Sequence, residues 1–261
     1  MSTTGTVRAT AAAPRWFADL FAHRRWVRRS RPFPHVYARD VFVPTFYHRL
    51  TAEWERVRRD RSDSAVGGIA GVDRVPLSAL RDGPLAIFSA REWHDLIAGL
   101  GGVEATGDIE GSVCRHGPET PPEPTHNDLA PAWFPGPSPG PGDIRLPDDS
   151  VDTRTGERAP GIDARQSVRA VAVEFYLGNS EWEPGDGGET GLYDHRADAT
   201  SQSAAIHIPP VNNSLVVFEV TPRSWHAFAG ANTKERTCVT LWVHRSRTDA
   251  AQRWGGDTIG R

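Results

Sequence analysis

Four residues carry the first chemical suggestion in this sequence: His126, Asp128, His226 and Arg236. His126-Asn127-Asp128 lies in a short stretch expected to be extended, where residues i and i+2 project from one face, so its imidazole and carboxylate point the same way. Ser224-Trp225-His226 lies between two stretches rich in β-branched and aromatic residues, 215–218 and 237–243, that read as neighbouring strands. Arg236 stands at the start of the second strand. Two imidazoles and one carboxylate on one face of an octahedron leave three positions open. That donor set suits non-haem Fe(II), with room for a bidentate co-substrate and O₂. Catalytic zinc uses similar ligands but needs only one open position, so the metal is not fixed by the residue types alone. A guanidinium nearby is a permanent cation that pairs bidentately with a carboxylate, as an anchor for an anionic co-ligand requires.

The elements that must position these residues follow from pattern. Residues 167–177 (SVRAVAVEFYL) alternate and predict the firmest strand. Further strands are expected at 35–42, 109–115, 189–193 and 204–208, with 125–129 as a short extended piece. A long Pro/Gly/Asp-rich excursion, 131–163, is read as a lid, binding loop or insertion, with Trp133-Phe134 either tethering it, the favoured reading, or covering the metal. The turn GDGGE, 185–189, has no following helix, so it predicts a tight strand connection and not a phosphate cradle. Helical spacing is expected over 14–29, over about 46–59 (Phe46, Leu50, Trp54, Val57), and from a Ser89–Glu92 capping box to a stop at Gly101-Gly102. The boundaries are a mobile tail 1–13, a helical support region 14–104, a core 105–245 and a C-terminal tail 246–261. Short strands with regular turn signals and helices packed outside them predict an α+β chain with a mainly β core.

Composition limits the function classes. The 261 residues suit a soluble domain with a sizeable core, and the net charge is −3. Thirty basic residues against 33 acidic ones argue against a nucleic-acid surface. The basic cluster RRWVRRSR, 24–31, is expected on the solvated face of a helix. Twenty-nine of the basic residues are arginine, as GC-rich bacterial coding favours. No window approaches the roughly 18 apolar residues of a membrane span, and the N-terminus lacks a secretory apolar stretch. Only Cys114 and Cys238 are present, which fits a reducing, cytoplasmic setting without a disulfide framework.

The order His126-x-Asp128, Tyr176-Leu177-Gly178-Asn179 with Trp182, Gly187-Gly188-Glu189 with Leu192-Tyr193, Trp225-His226 and Arg236 resembles the Fe(II)/2-oxoglutarate-dependent oxygenases, most of all their prolyl 4-hydroxylase-like branch. The resemblance covers about 105–245, with a weaker echo in PFPHVYARDVFVPTFYHRL, 32–50. It implies a double-stranded β-helix (a jelly roll) with iron on His126, Asp128 and His226. It also implies Arg236 on the distal carboxylate of 2-oxoglutarate, with Tyr176 bonding the same carboxylate. Thr240 and Cys238, following Arg236 on its strand, are candidates to line that pocket, with core packing the expected role of Cys238. The extra residue in Leu177-Gly178-Asn179 is expected to make a bulge. A carboxylate at 128 argues against halogenation, in which chloride takes its place. The implied reaction is a hydroxylation, or a desaturation or ring closure, coupled to conversion of 2-oxoglutarate and O₂ into succinate and CO₂. The expected substrate is a small molecule, amino acid-like or a natural-product intermediate of bacterial secondary metabolism, held by arginines among Arg115, Arg169, Arg196 and Arg223. The alternatives are a hydroxylase acting on a protein or peptide, a metal enzyme without 2-oxoglutarate, and a non-catalytic jelly-roll binding module. Of the remaining histidines, His116 and His195 are expected near strand ends where they could face the cavity, and His207 and His244 at the surface or in packing.

Overall fold

The computed structural model describes residues 13–22, 26–61, 72–196 and 204–260. The expected tail 1–13 lies outside the described residues but for Ala13. In chain order the strands are β1 (Val27–Arg29), β2 (His35–Ala38), β3 (Val72–Pro76), β4 (Ile109–His116), β5 (Pro131–Pro135), β6 (Ala164–Tyr176), β7 (Thr190–Leu192), β8 (Ile206–Ile208), β9 (Ser214–Glu219), β10 (His226–Phe228) and β11 (Arg236–Ser246). The helices are α1 (Arg15–Ala18), α2 (Pro44–Arg61), α3 (Arg91–Gly101) and α4 (Arg247–Trp254).

The long sheet runs β1-β2-β9-β6-β11-β4-β3, with β5 on the first half of β6, and the short sheet runs β10-β7-β8. An isolated bridge, His126 to His226, adds one more rung to the short sheet. All the pairings within the two sheets are antiparallel, as in a jelly roll. One core lies between the sheets and includes Leu129, Ala172, Tyr176, Leu192, Phe218 and Cys238. The other lies between the long sheet and the helices, where Phe42, Leu50, Trp54, Trp93, Val173 and Phe175 meet. Helix α2 buries Phe46, Leu50, Trp54 and Val57 as its spacing predicts.

Several expectations differ from the structure. The apolar spacing of 14–29 does not make one helix. Among the described residues of that stretch only Arg15–Ala18 are helical, and Val27–Arg29 pair with β2 as strand β1, so the exposed Arg28 and Arg29 lie on a strand. The periodicity comes from aromatic residues recruited by a cluster: the Phe21 ring lies 5.3 Å from Phe42, 6.4 Å from Trp93 and 5.9 Å from Trp26. Ser89 caps nothing on α3, for its hydroxyl donates to Ala86 O and the N-cap is Ala90. Gly102, at φ 66°, closes α3 as expected. The strand at 35–42 stops at Ala38, and Phe42 makes a lone bridge to Phe21. The excursion 131–163 is not structureless, since β5 opens it as a partner of β6. Its tether is as expected: Phe134 is buried against His244, and Trp133 sits under Arg158. Within 246–261, read as a tail, Arg247–Trp254 form α4, whose N-cap Ser246 accepts from Asp249 N. The buried Arg245 pairs with Glu219 and Asp249 and so fixes α4 to the sheet.

The turn at 185–189 is a strand connection. Gly187 has φ 72°, and a Cβ there would lie 2.2 Å from Ala231 O. Left-handed strain and a backbone collision both oppose any side chain at that position. Gly187→Ala is expected to cost at least about 2 kcal/mol and to lower Tm by roughly 5 °C or more. A thermal melt checks this, and an unchanged Tm would contradict the packing described.

Candidate active site

Register across the long sheet sets the site. On β4, β11, β6 and β9, residues directly opposite form rungs: Cys114–Cys238–Tyr176–Ser214, then Ser112–Thr240–Glu174–Val216, then Glu110–Trp242–Ala172–Phe218. His116 stands opposite Arg236 one rung beyond. Because Ala172, Tyr176 and Cys238 belong to the inter-sheet core, these rungs face inward. The alternation expected over 167–177 fails at one point. Val243 faces Val171 and His244 faces Arg169, leaving Ala170 as an extra residue. This β-bulge puts Ala170 and Val171 both in the helix-side core and turns Arg169 back toward the interior.

His126, Asp128 and His226 converge there, offering one ligand atom each within 4.8 Å of one another. His226 opens β10, and His126 is held opposite it by backbone bonds in both directions, 3.0 and 2.9 Å. Asp128 does not follow in an extended strand. Its φ is 61°, in the left-handed region that Asp tolerates better than most residues, and Asn127 Oδ1 accepts from Leu129 N in the same turn. A turn rather than strand alternation therefore brings its carboxylate to the imidazoles. His126 Nδ1 faces Pro124 O at 2.9 Å, and His226 Nδ1 faces Ser224 O at 2.9 Å. Donation from Nδ1 to those carbonyls presents both Nε2 atoms to the site, the tautomer a metal ligand needs. Asp128 Oδ2 lies 3.1 Å from His226 Nε2, and Asp128 Oδ1 lies 3.6 Å from His126 Nε2.

Further groups orient the Asp128 carboxylate. Trp242 Nε1 donates to Oδ2 at 2.8 Å and Arg169 Nη1 donates to Oδ1 at 3.3 Å. Arg169 lies 3.8 Å over the Trp242 ring and is clasped by Glu110 at 2.8 and 3.1 Å. Burial opposes ionisation of Asp128, but the charges of His226 and Arg169 outweigh it and hold the carboxyl well below its usual range. Burial also opposes charge on His226, and Asp128 overcomes it, raising the imidazole above its ordinary value.

A second cluster lies deeper. Arg236, 2 % exposed, donates from Nη2 to Glu174 Oε2 at 3.1 Å and to Thr190 Oγ1 at 3.0 Å. Its Nη1 faces His116 Nδ1 at 3.3 Å and Cys238 Sγ at 3.2 Å. The guanidinium is flanked by the rings of Tyr176 and Phe228 at 5.3 and 5.1 Å. Tyr176 Oη donates to Glu174 Oε2 at 2.9 Å, and Thr190 Oγ1 makes a close hydrogen bond to the same oxygen. Burial and then the Arg236 charge push the His116 imidazole down to about 3, so it is neutral here. Burial raises the Cys238 thiol to about 12, in keeping with packing. Thr240 faces inward beside Glu174 but makes its hydrogen bond to Cys238 Sγ, 3.4 Å, and not to Arg236. Leu177-Gly178-Asn179 makes no bulge within the strand. Gly178, φ 68°, turns the chain, and the Asn179 side chain clips it to the Thr237 backbone at 2.6 and 3.1 Å.

Residues 158–244 match the family model of the 2OG-Fe(II) oxygenase superfamily. That match bears out the resemblance to the Fe(II)/2-oxoglutarate-dependent oxygenases. The matched stretch contains Tyr176, His226 and Arg236, while His126 and Asp128 lie before it and are brought in by the fold. This oxygenase is a non-haem iron dioxygenase, and iron(II), 2-oxoglutarate and O₂ are what its family requires. Its fold is similar to that of a prolyl hydroxylase from Trichoplax adhaerens in complex with a hypoxia inducible factor oxygen degradation domain peptide fragment. That match has TM-score 0.51 and 16% identity over 84% of this chain and 86% of the other. A Pseudomonas putida prolyl-4-hydroxylase gives TM-score 0.48 and 17% identity over 81% and 92%. The epimerase SnoN, in complex with Fe3+, alpha ketoglutarate and nogalamycin RO, gives 0.47 and 14% over 82% and 79%.

The donor chemistry of the oxygenase fits both groups. Two imidazole Nε2 atoms and a buried carboxylate suit iron, and the Arg236 cluster suits a carboxylate because it already holds one, that of Glu174. Of the arginines considered for a substrate clamp, Arg169 reaches the site, where Asp128 and Glu110 occupy it. Arg115 pairs instead with Asp73 and Glu235. Arg196 is exposed over the Trp225 ring at 5.9 Å, and Arg223 is exposed. His116 faces the cavity region, His244 packs with Ser167, and His195 and His207 are exposed. Sequence reasoning missed Glu174, Glu110, Thr190 and Trp242. An isolated acid two residues before Tyr176, on the inward side of an apolar strand, was the available signal for Glu174. Among the described residues no helix is long and apolar enough to cross a membrane.

Proposed function

We propose that His126, Asp128 and His226 hold the iron and that Arg236 anchors the distal carboxylate of 2-oxoglutarate. We further propose that the enzyme hydroxylates an unactivated C–H bond of a small molecule, amino acid-like or a natural-product intermediate, with release of succinate and CO₂. The observation that carries this reading is the pairing of a three-ligand cluster, carried on the short sheet and its flanking turn, with a buried guanidinium on the long sheet. Bound iron with 2-oxoglutarate and O₂ supplies the oxidation. The protein's own part is positioning. Pro124 O and Ser224 O fix the imidazole tautomers, Trp242 and Arg169 aim the Asp128 carboxylate, and burial keeps water from Arg236. Tyr176 and Thr190 present hydroxyls beside Arg236, which suits them to bond the same carboxylate. Thr240 is a wall of that pocket.

The side chain of His126 is 41% exposed against 8% for Asp128 and for His226, so substrate is expected to approach beside His126. The test is an anaerobic titration of apoprotein with Fe(II) and then 2-oxoglutarate, followed by succinate release over panels of free amino acids, their derivatives and peptides. A weak visible charge-transfer band and turnover confined to the free compounds are the expected results. Turnover of peptides alone would replace this substrate class with a peptide hydroxylase, and no band in metal-loaded protein would remove the 2-oxoglutarate assignment.

A further inference from the structure

Glu174 is the least expected member of the site. It projects inward from β6, one rung from Trp242, which bonds Asp128, and two rungs from Arg236. Its carboxylate therefore lies between the proposed metal ligands and the proposed anchor, on the path a co-substrate spanning the two would take. Three donors, Tyr176 Oη, Thr190 Oγ1 and Arg236 Nη2, meet on its Oε2. These are the groups suited to bind a distal carboxylate. Beside them, Arg236 Nε and His116 Nε2 are buried without hydrogen-bond partners, so the pocket has donor capacity that Glu174 leaves unused.

A guanidinium already neutralised by one buried carboxylate attracts a second one weakly, and two carboxylates on one site repel. We propose that Glu174 is the resident counter-ion of Arg236 and that 2-oxoglutarate binds by displacing it, which makes Glu174 the residue that sets co-substrate affinity. The inference rests on Arg236 being the anchor. It assigns a cost to binding only for acids with a distal carboxylate. A 2-oxo acid lacking that group, such as pyruvate, chelates the metal without contesting Arg236.

Calorimetric titration of the Mn(II)-loaded full chain with 2-oxoglutarate and with pyruvate tests this in wild type, Glu174→Gln and Glu174→Leu. The variants are expected to bind 2-oxoglutarate at least tenfold more tightly, with pyruvate affinity unchanged within about threefold. The wild type is expected to gain less than about tenfold from the distal carboxylate, a measurement that needs no variant to fold. Unchanged or weaker 2-oxoglutarate binding in folded variants overturns the displacement, as does a gain of a hundredfold or more over pyruvate in wild type. If pyruvate binds every form while 2-oxoglutarate gains nothing over it in any of them, Arg236 is not the anchor, and the assignment on which this inference rests falls with it.

Discussion

Replacing His226 with alanine is expected to abolish useful metal binding while leaving the fold in place. Outer-sphere partners of a metal typically change affinity about 10–100-fold, and a direct ligand is worth more than that. The cost to folding is modest, because Asp128 keeps its bonds from Trp242 and Arg169 and is not stranded in the interior. Mn(II) titration followed by electron paramagnetic resonance, with a thermal melt of the same samples, measures both quantities. Affinity within about threefold of wild type would show that the cluster is not the metal site.

Arg236→Leu is expected to have a larger effect on stability and an equal one on activity. Loss of the guanidinium leaves Glu174 beside Tyr176 and Thr190 with no cation, and breaking a buried pair from one side typically costs about 3–5 kcal/mol. For a domain of this size that is a fall in Tm on the order of 6–20 °C. The charge, and not only the lost volume, is responsible, so Arg236→Leu combined with Glu174→Leu should recover most of the loss. Co-substrate binding stays absent in both. If the double variant is no more stable than the single one, the pair is not coupled as the geometry indicates.

The residues of the site were more legible in the sequence than the geometry that joins them. His126, Asp128, His226 and Arg236 are recognisable by type, order and company. The expected reason for the convergence of His126 and Asp128, strand alternation, is not the one the structure uses, because a left-handed residue is invisible in a sequence where Asp fits many conformations. The bulge at Ala170 was hidden for a related reason. An apolar residue facing either core satisfies the pattern, so the half-turn that redirects Arg169 leaves no mark. At the N-terminus, aromatic residues spaced for a helix were claimed by a cluster around Phe42, and tertiary packing overrode periodicity. The helix after β11 did leave a sign, Ser246 three residues before Asp249, which passed unread beside polar neighbours. Glu174 was obscured by being one acid in an otherwise convincing strand.

The two halves of the site stand on backbones of very different stiffness. The proposed anchor is carried by β6 and β11, each paired on both sides, so its geometry is preformed and its ordering was completed when the chain folded. Two of the three proposed metal ligands sit at 126–128, outside the named strands, where the bridge to His226 and a bond from Glu123 N to Phe228 O tie the segment to β10. Part of the free energy of the proposed metal binding is therefore expected to go into holding that segment still, so the apparent affinity for metal would record local ordering as well as coordination chemistry.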